Sequence, residues 1–250
     1  MKNGFRIYDA HTHIGQALHS GRQFSAAELI SRMDRYGVDR ALVIPFPVVD
    51  DRRRAHDEIA KALSAYPDRL TGAACLDPFL PEDAFRDELR RYVEELGCRA
   101  LKLQPQYQPL NPLSPRAEFF FGAALNYHLP VIVHTGAGIP FALPSLFIKP
   151  ALKFPELNII LAHCGGSIYF AEAIVAAHVC PNIFLELSSL MPHHILEVLR
   201  YVPPSRLLIG SDTPEDLDTE MGKILSLGVP EETRQDILFN TSQRLFDRTR

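Results

Sequence analysis

Eight short apolar runs, separated by stretches with helical periodicity, govern what this 250-residue chain can fold into. The runs are Phe5 to Asp9, Ala41 to Pro45, Leu70 to Cys75, Ala100 to Gln104, Pro130 to His134, Asn158 to His163, Ile183 to Leu187 and Arg206 to Gly210, and their starts recur mostly every 25 to 35 residues. Helical patterns fill the intervals: Ala26 to Tyr36, Arg54 to Tyr66, Glu82 to Leu96, Arg116 to His128, Ser145 to Lys153, Ile168 to His178, His194 to Tyr201 and Glu215 to Leu227, with another from Glu231 to Phe246. Short buried strands alternating with helices imply βαβ units and a parallel sheet. Eight repeats predict a closed α/β (β/α)8 barrel, the TIM barrel, rather than an open doubly wound sheet, and no glycine-rich phosphate loop follows the first run. Ser114-Pro115 reads as an N-cap with proline at the first helical position, and Gly37, Gly97 and Gly228 stand where helices should stop.

Nothing in the connections reads as a linker, so residues 1–250 are expected to form a single barrel domain. A chain of this length buries roughly 70 to 75% of the surface that its unfolded form exposes, so it needs no covalent staples. Cys75, Cys98, Cys164 and Cys180 lack zinc-finger spacing and are expected to be free thiols in a reducing cytosol. No secretory leader and no run of about 18 apolar residues is present, which points to a cytoplasmic protein away from the membrane. A formal charge of −4 argues against nucleic acid as a partner. A small-molecule substrate and a possible homo-oligomer are the expected associations.

Four of the apolar runs end in residues that can ligate a metal. His11 and His13 follow the first, His134 ends the fifth, His163 ends the sixth and Asp212 follows the eighth. Side chains i and i+2 of a strand project to one face, so His11 and His13 can converge on one cation. Barrels of this type keep their chemistry at the C-terminal strand ends, and closure makes the eighth strand a neighbour of the first. A shared register at four strand ends is what distinguishes these residues from His19, His56, His128, His178, His193 and His194, which are expected at the surface or in the core.

The chain resembles the amidohydrolase superfamily, in its amidohydrolase-related branch of metal-dependent hydrolases, lactonases and aromatic acid decarboxylases. The resemblance is carried by Asp9-Ala10-His11-Thr12-His13, Tyr66-Pro67-Asp68-Arg69, Ala100-Leu101-Lys102-Leu103-Gln104-Pro105, His134-Thr135-Gly136, Leu161-Ala162-His163-Cys164-Gly165-Gly166, Gly210-Ser211-Asp212-Thr213-Pro214 and Asn240-Thr241-Ser242-Gln243-Arg244-Leu245-Phe246. Similarity to the mononuclear members implies that His11, His13, His134 and Asp212 hold one divalent metal while His163 is left for catalysis. Such a nitrogen and oxygen set suits zinc, with manganese, iron or cobalt as alternatives. An open coordination position would carry a water with a pKa near ~7 on zinc; Asp212 could then take its proton while His163 orients it or protonates a leaving group.

Lys102 ends the fourth run, where binuclear relatives use a carboxylated lysine, and in that case His134 and His163 would serve a second ion. The favoured expectation is an uncarboxylated lysine that binds an anionic substrate or forms a salt bridge near the rim. Gln104, Gln106 and Tyr107 follow on the same face as candidate substrate contacts. Arg52, Arg53 and Arg54 follow the second run, where a guanidinium could grip a substrate carboxylate, although a solvated helix start is the favoured reading. Cys164 should point away from the site. The leading expectation is a metal-dependent hydrolase of a small carboxylated amide, lactone or ester, because only Ile14 to Phe24 separate His13 from the first helix and the decarboxylases tend to be longer. The rival is a non-oxidative decarboxylase using the same ligands, and a noncatalytic ligand-binding barrel comes third.

Overall fold

The computed structural model describes residues 2, 4–136 and 138–247. In chain order the elements are β1 (Tyr8–Gln16), β2 (Gln23–Phe24), α1 (Ala26–Tyr36), β3 (Arg40–Pro45), α2 (Arg52–Ala65), β4 (Leu70–Ala74), α3 (Glu82–Arg90), β5 (Ala100–Leu103), α4 (Pro115–Asn126), β6 (Val131–His134), α5 (Ile148–Lys153), β7 (Ile159–Ala162), α6 (Gly166–Val179), β8 (Ile183–Glu186), α7 (Pro192–Leu199), β9 (Leu207–Leu208), α8 (Leu217–Ser226), α9 (Glu231–Gln235) and α10 (Thr241–Phe246). The sheet order is β2-β1-β3-β4-β5-β6-β7-β8-β9. Only β2 is antiparallel, a short return strand paired with the end of β1 that the apolar pattern did not predict.

The remaining eight strands close into the expected (β/α)8 barrel. Closure is made by backbone hydrogen bonds from Ala10 N to Ile209 O at 2.9 Å, from His13 N to Asp212 O at 3.1 Å and from Asp212 N to His11 O at 2.7 Å. Gly210 lies at this seam because nothing larger fits: a Cβ there would come within 2.5 Å of His11 Cβ and 2.8 Å of the His11 backbone nitrogen. β1 is longer than its apolar run and continues past both histidines to Gln16, with a register irregularity between Asp9 and Thr12. His11 and His13 therefore lie within the strand, not beyond it.

Two apolar layers sandwich the strands. The outer one packs helices on the barrel through residues such as Leu29, Met33, Ile59, Phe85, Phe120 and Phe121. Cys164 belongs to this layer, so it does point away from the barrel axis. The inner one fills the barrel with Tyr8, Ala10, Leu42, Ile44, Ala73, Ala100, Ile132, Ile160 and Leu208. Its floor, at the N-terminal ends of the strands, is closed by Phe239 and Phe246, whose rings lie 6.1 and 5.9 Å from Tyr8. With the floor plugged, only the C-terminal face leaves room for chemistry. Among the described residues no helix is long and apolar enough to cross a membrane.

Local signals behave as their chemistry demands. Ser25 and Glu28 form a reciprocal capping box on α1, Gly37 ends that helix at φ 72°, and Ser114 caps α4 with Pro115 behind it. His56, on α2, is a core residue. Its Nδ1–H donates to Arg52 O at 2.7 Å, its Nε2 accepts from Cys75 N at 3.0 Å, and its ring stacks on Tyr92 at 3.8 Å. Burial disfavours the charged ring and pushes its pKa down to about 4.

Two outcomes follow from this packing. Gly210→Ala should open the seam and destabilise the fold by about 1–3 kcal/mol or more, read as a lower urea midpoint than that of wild type. His56 has a folded pKa below its unfolded value of about 6.5, so the stability it contributes is present above that value and is lost as pH falls toward 4. Between pH 7 and 4.5 the wild type should therefore lose about 2–3 kcal/mol more than His56→Gln, as measured by denaturant unfolding at both pH values. Equal losses would show that His56 is not held neutral.

Candidate metal centre

Five strand exits deliver the polar residues of the C-terminal face. His11 and His13 come from β1, His134 ends β6, His163 directly follows β7, Glu186 ends β8 and Asp212 follows β9. His163, Cys164, Ser189 and Asp212 all have left-handed backbones, with φ of 63°, 48°, 63° and 63°. Non-glycine residues seldom adopt this conformation, at a cost of roughly 1–3 kcal/mol each, so it persists where surrounding contacts enforce it. Thr135 supplies one such contact by donating to Ala162 O at 2.7 Å and accepting from Gly165 N at 2.8 Å, which ties the ends of β6 and β7 together.

Hydrogen-bond partners settle the tautomer of three imidazoles. His11 Nε2 lies 2.8 Å from Lys102 Nζ, which can only donate, and its Nδ1 lies 3.3 Å from Glu186 Oε2, which accepts. His13 Nδ1 donates to the carbonyl of Pro45 at 3.2 Å. Ser188 donates its hydroxyl proton to Glu186 Oε2 at 2.8 Å, so the contact of 2.8 Å between Ser188 Oγ and His163 Nδ1 is a bond from the imidazole. All three rings therefore carry the proton on Nδ1 and turn an Nε2 lone pair inward. Asp212 Oδ1 faces those nitrogens at 3.5 Å from His11, 3.8 Å from His13 and 3.9 Å from His163. His163 Nε2 is buried and has no hydrogen-bond partner.

Glu186 organises this arrangement. Its Oε2 accepts from His11 Nδ1, His163 N and Ser188 Oγ, and its Oε1 accepts from Ser188 N and Gly210 N. It is 1% exposed. Asp9 plays a similar part beneath the seam, accepting from Ser211 N at 2.9 Å and Ser211 Oγ at 2.6 Å, while burial raises its pKa to about 7. Neither Glu186 nor Ser188 figured in the expectations from sequence. The available signal was a single acid inside the run Ile183-Phe184-Leu185-Glu186-Leu187, since a carboxylate in a buried strand needs several donors to satisfy it.

The electrostatics disfavour protonation of His11, His13 and His134 and favour an ionised Asp212. Burial, followed by the charge of Lys102, lowers His11 well below the usual histidine value and His13 to about 4. His134 is lowered by burial and then by His163. For Asp212 burial acts in the opposite direction, but His163, His11, His13 and Lys102 outweigh it and hold the carboxyl far below the ordinary carboxylate range. Converging lone pairs beside an anionic oxygen repel one another unless a cation lies among them, and hydrogen bonds on the remote nitrogens are the usual support for such ligands. The donor set thus fits a divalent metal.

Among the described residues, two groups of three place potential ligand atoms within 4.8 Å of one another: His11, His13 and Asp212, and His11, His163 and Glu186. The second is the weaker candidate because Glu186 Oε2 is already committed to three donors. His134 belongs to neither group; its ring packs edge-on against His163 at a centroid distance of 4.6 Å. Lys102 differs from expectation in depth. It is 1% exposed and lies inside the site against His11, not at the rim. Burial lowers its pKa to about 8.

At the mouth, Gln104 is buried with Oε1 unpartnered, Gln106 is exposed and Tyr107 is half-buried. His19, left outside the site by the sequence pattern, stands there too: its ring is 4.7 Å from Tyr107 and 6.2 Å from Phe46, which stacks on His13 at 5.1 Å. Of the three arginines, Arg53 and Arg54 are exposed and paired with Glu88 and Asp50. Arg52 instead turns inward and donates to Cys75 O at 3.2 Å, beyond the end of β4.

Comparisons with known proteins agree with the barrel fold. Solved structures with the same fold include a 5-carboxyvanillate decarboxylase with bound manganese from Novosphingobium aromaticivorans, at TM-score 0.77 and 15% identity over 98% of both chains. A 2,6-dihydroxybenzoate decarboxylase from Rhizobium matches at TM-score 0.72 and 18% identity over 97% of this chain and 99% of its own. A 4-oxalomesaconate hydratase from Rhodopseudomonas palustris matches at TM-score 0.69 and 16% identity over 96% and 95%. A search of curated proteins finds no match. The family model for amidohydrolases matches residues 8–248, nearly the whole chain, and the protein therefore belongs to the amidohydrolase family of enzymes.

Proposed function

We propose that this enzyme is a metal-dependent hydrolase of a small carboxylated amide, lactone or ester, with residues 1–250 acting as one barrel domain. The observation that carries this reading is the character of the groups facing the reaction space. Asp212 is held ionised and His163 turns an unpartnered lone pair inward, so both are proton acceptors. Hydrolysis requires a group that takes a proton from water as it attacks. His11, His13 and Asp212 would hold the metal, with His134 as the fourth ligand that the family resemblance implies; zinc is the ion we favour and manganese the next. A bound divalent ion supplies Lewis-acid polarisation of an oxygen. Glu186 and Ser188 keep the His163 lone pair turned inward, and Asp212 is the second acceptor within 4 Å of it. The cations of Lys102 and Arg52 would engage a substrate carboxylate, with Gln104 and Tyr107 as further contacts.

Decarboxylation is the second reading, and two observations favour it. The decarboxylase from Novosphingobium is matched over 98% of its own length, which removes chain length as an argument for hydrolysis. Lys102 is also a buried proton donor beside the site, and a decarboxylase must deliver a proton to the carbon that loses carbon dioxide.

Metal analysis of dialysed protein should find about one divalent ion per chain. His13→Ala, His134→Ala and Asp212→Asn should each lose it. His163→Asn should keep the metal and lower turnover about 100-fold. Unchanged metal in His134→Ala together with loss in His163→Asn would exchange the roles of those two histidines. Product analysis separates the two reactions: with a panel of lactones, amides and hydroxybenzoates, uptake of oxygen-18 from water without carbon dioxide supports hydrolysis. Carbon dioxide release that depends on His163 would replace it with the lyase.

A further inference from the structure

We propose that the ammonium of Lys102 is a resident cation of the metal pocket, and that a divalent ion binds His11 only by displacing it. The inference rests on the reading of this site as a metal centre. An imidazole nitrogen has one lone pair, which can accept a hydrogen bond or ligate a metal but cannot do both. At His11 Nε2 that lone pair is taken by Lys102 Nζ at 2.8 Å. His11 cannot turn to offer its other nitrogen, because Nδ1 is committed to Glu186 and Gly210 packs closely against its Cβ.

Lys102 itself has no exit to solvent. It is 1% exposed, and the His11 ring that it touches lies 3.5 Å from Asp212 Oδ1 and 3.3 Å from Glu186 Oε2. The ammonium thus supplies the positive charge that three inward lone pairs and a carboxylate require. A divalent ion entering beside it would meet a like charge at close range in a poorly screened site. Metal affinity is therefore set below what the ligands alone would give, and the ammonium freed by metal entry becomes the nearest buried cation for an anionic substrate.

The two other roles for Lys102 predict different outcomes. A carboxylated lysine bridging two ions would make its removal lower the amount of metal bound. A lysine serving substrate alone would leave metal affinity unchanged. Lys102→Met keeps the length of the side chain and removes the charge, and Lys102→Gln is a polar alternative should the first variant fold poorly. Metal-free wild type and variants would be titrated with zinc and with manganese against a chromophoric chelator at pH 7, and folding checked by circular dichroism.

At least tenfold tighter binding in a folded variant supports the proposal; equal or weaker binding overturns it. The wild type provides an independent measurement that needs no variant. With lysines labelled at carbon-13 Cε, the resonance of Lys102 should shift in proportion to zinc up to one equivalent, and an unmoved resonance at saturating zinc rejects displacement. Metal bound by neither wild type nor variants refutes the metal centre itself, an outcome distinct from a wild type that binds metal and a variant that binds it no better.

Discussion

A single buried carboxylate holds the active face together. Glu186 gathers five donors: the imidazole of His11, the hydroxyl of Ser188, and the backbone N–H groups of His163, Ser188 and Gly210. These come from β1, from the turns after β7 and β8, and from the seam beyond β9, so one side chain fastens the exits of neighbouring strands to one another above the sheet. A buried carboxylate is tolerable only when its oxygens are this fully occupied. The same bonds dictate on which nitrogen His11 and His163 carry their protons. Structural satisfaction and chemical orientation are thus one requirement, and removing Glu186 would disturb both at once.

Strain follows from the same arrangement. His163, Cys164, Ser189 and Asp212 hold left-handed backbones at three successive strand exits, β7, β8 and β9. Each of these turns lies next to a bond made by Glu186 or Asp9. The backbone leaves the strand sharply, which brings His163 and Asp212 over the barrel axis instead of letting them follow the strand direction outward. The cost is met by hydrogen bonds that a regular strand end would not have formed.

The fold was legible because its signals are local and repeated. Eight apolar runs and the capping residues between them depend on near neighbours, and each recurs where the barrel needs it. The histidines and Asp212 were legible for a related reason, since strand exits place them on one face whatever the details. What escaped was governed by partners far away in the chain. Ser188 is an ordinary serine until it lies between His163 and Glu186. Lys102 reads as a rim residue until the barrel closes and buries it against His11, 91 positions away. His19 reads in sequence as a residue outside the shared register and reaches the mouth only through the turn that leads into β2. The expected division between His134 as ligand and His163 as base also depends on distances that no spacing encodes, such as the 3.9 Å between His163 Nε2 and Asp212 Oδ1.

The seam and the floor carry a consequence for how the molecule is made. Asp212 reaches His11 across about 200 residues, and the rings that plug the barrel are Phe239 and Phe246. During synthesis, therefore, β1 emerges before the other barrel strands and meets its partner across the seam only after the seven that follow it in the barrel have been made. Until then its edge is unpaired on one side and the inner apolar surface lies open, a state prone to pairing with other nascent chains. The half-built barrel lacks the final arrangement of polar groups as well, because Asp212, which faces His11 and His13, follows the last barrel strand. Assembly of the pocket is in this sense a late event in folding, because its two sides come from the first and last strands of the barrel.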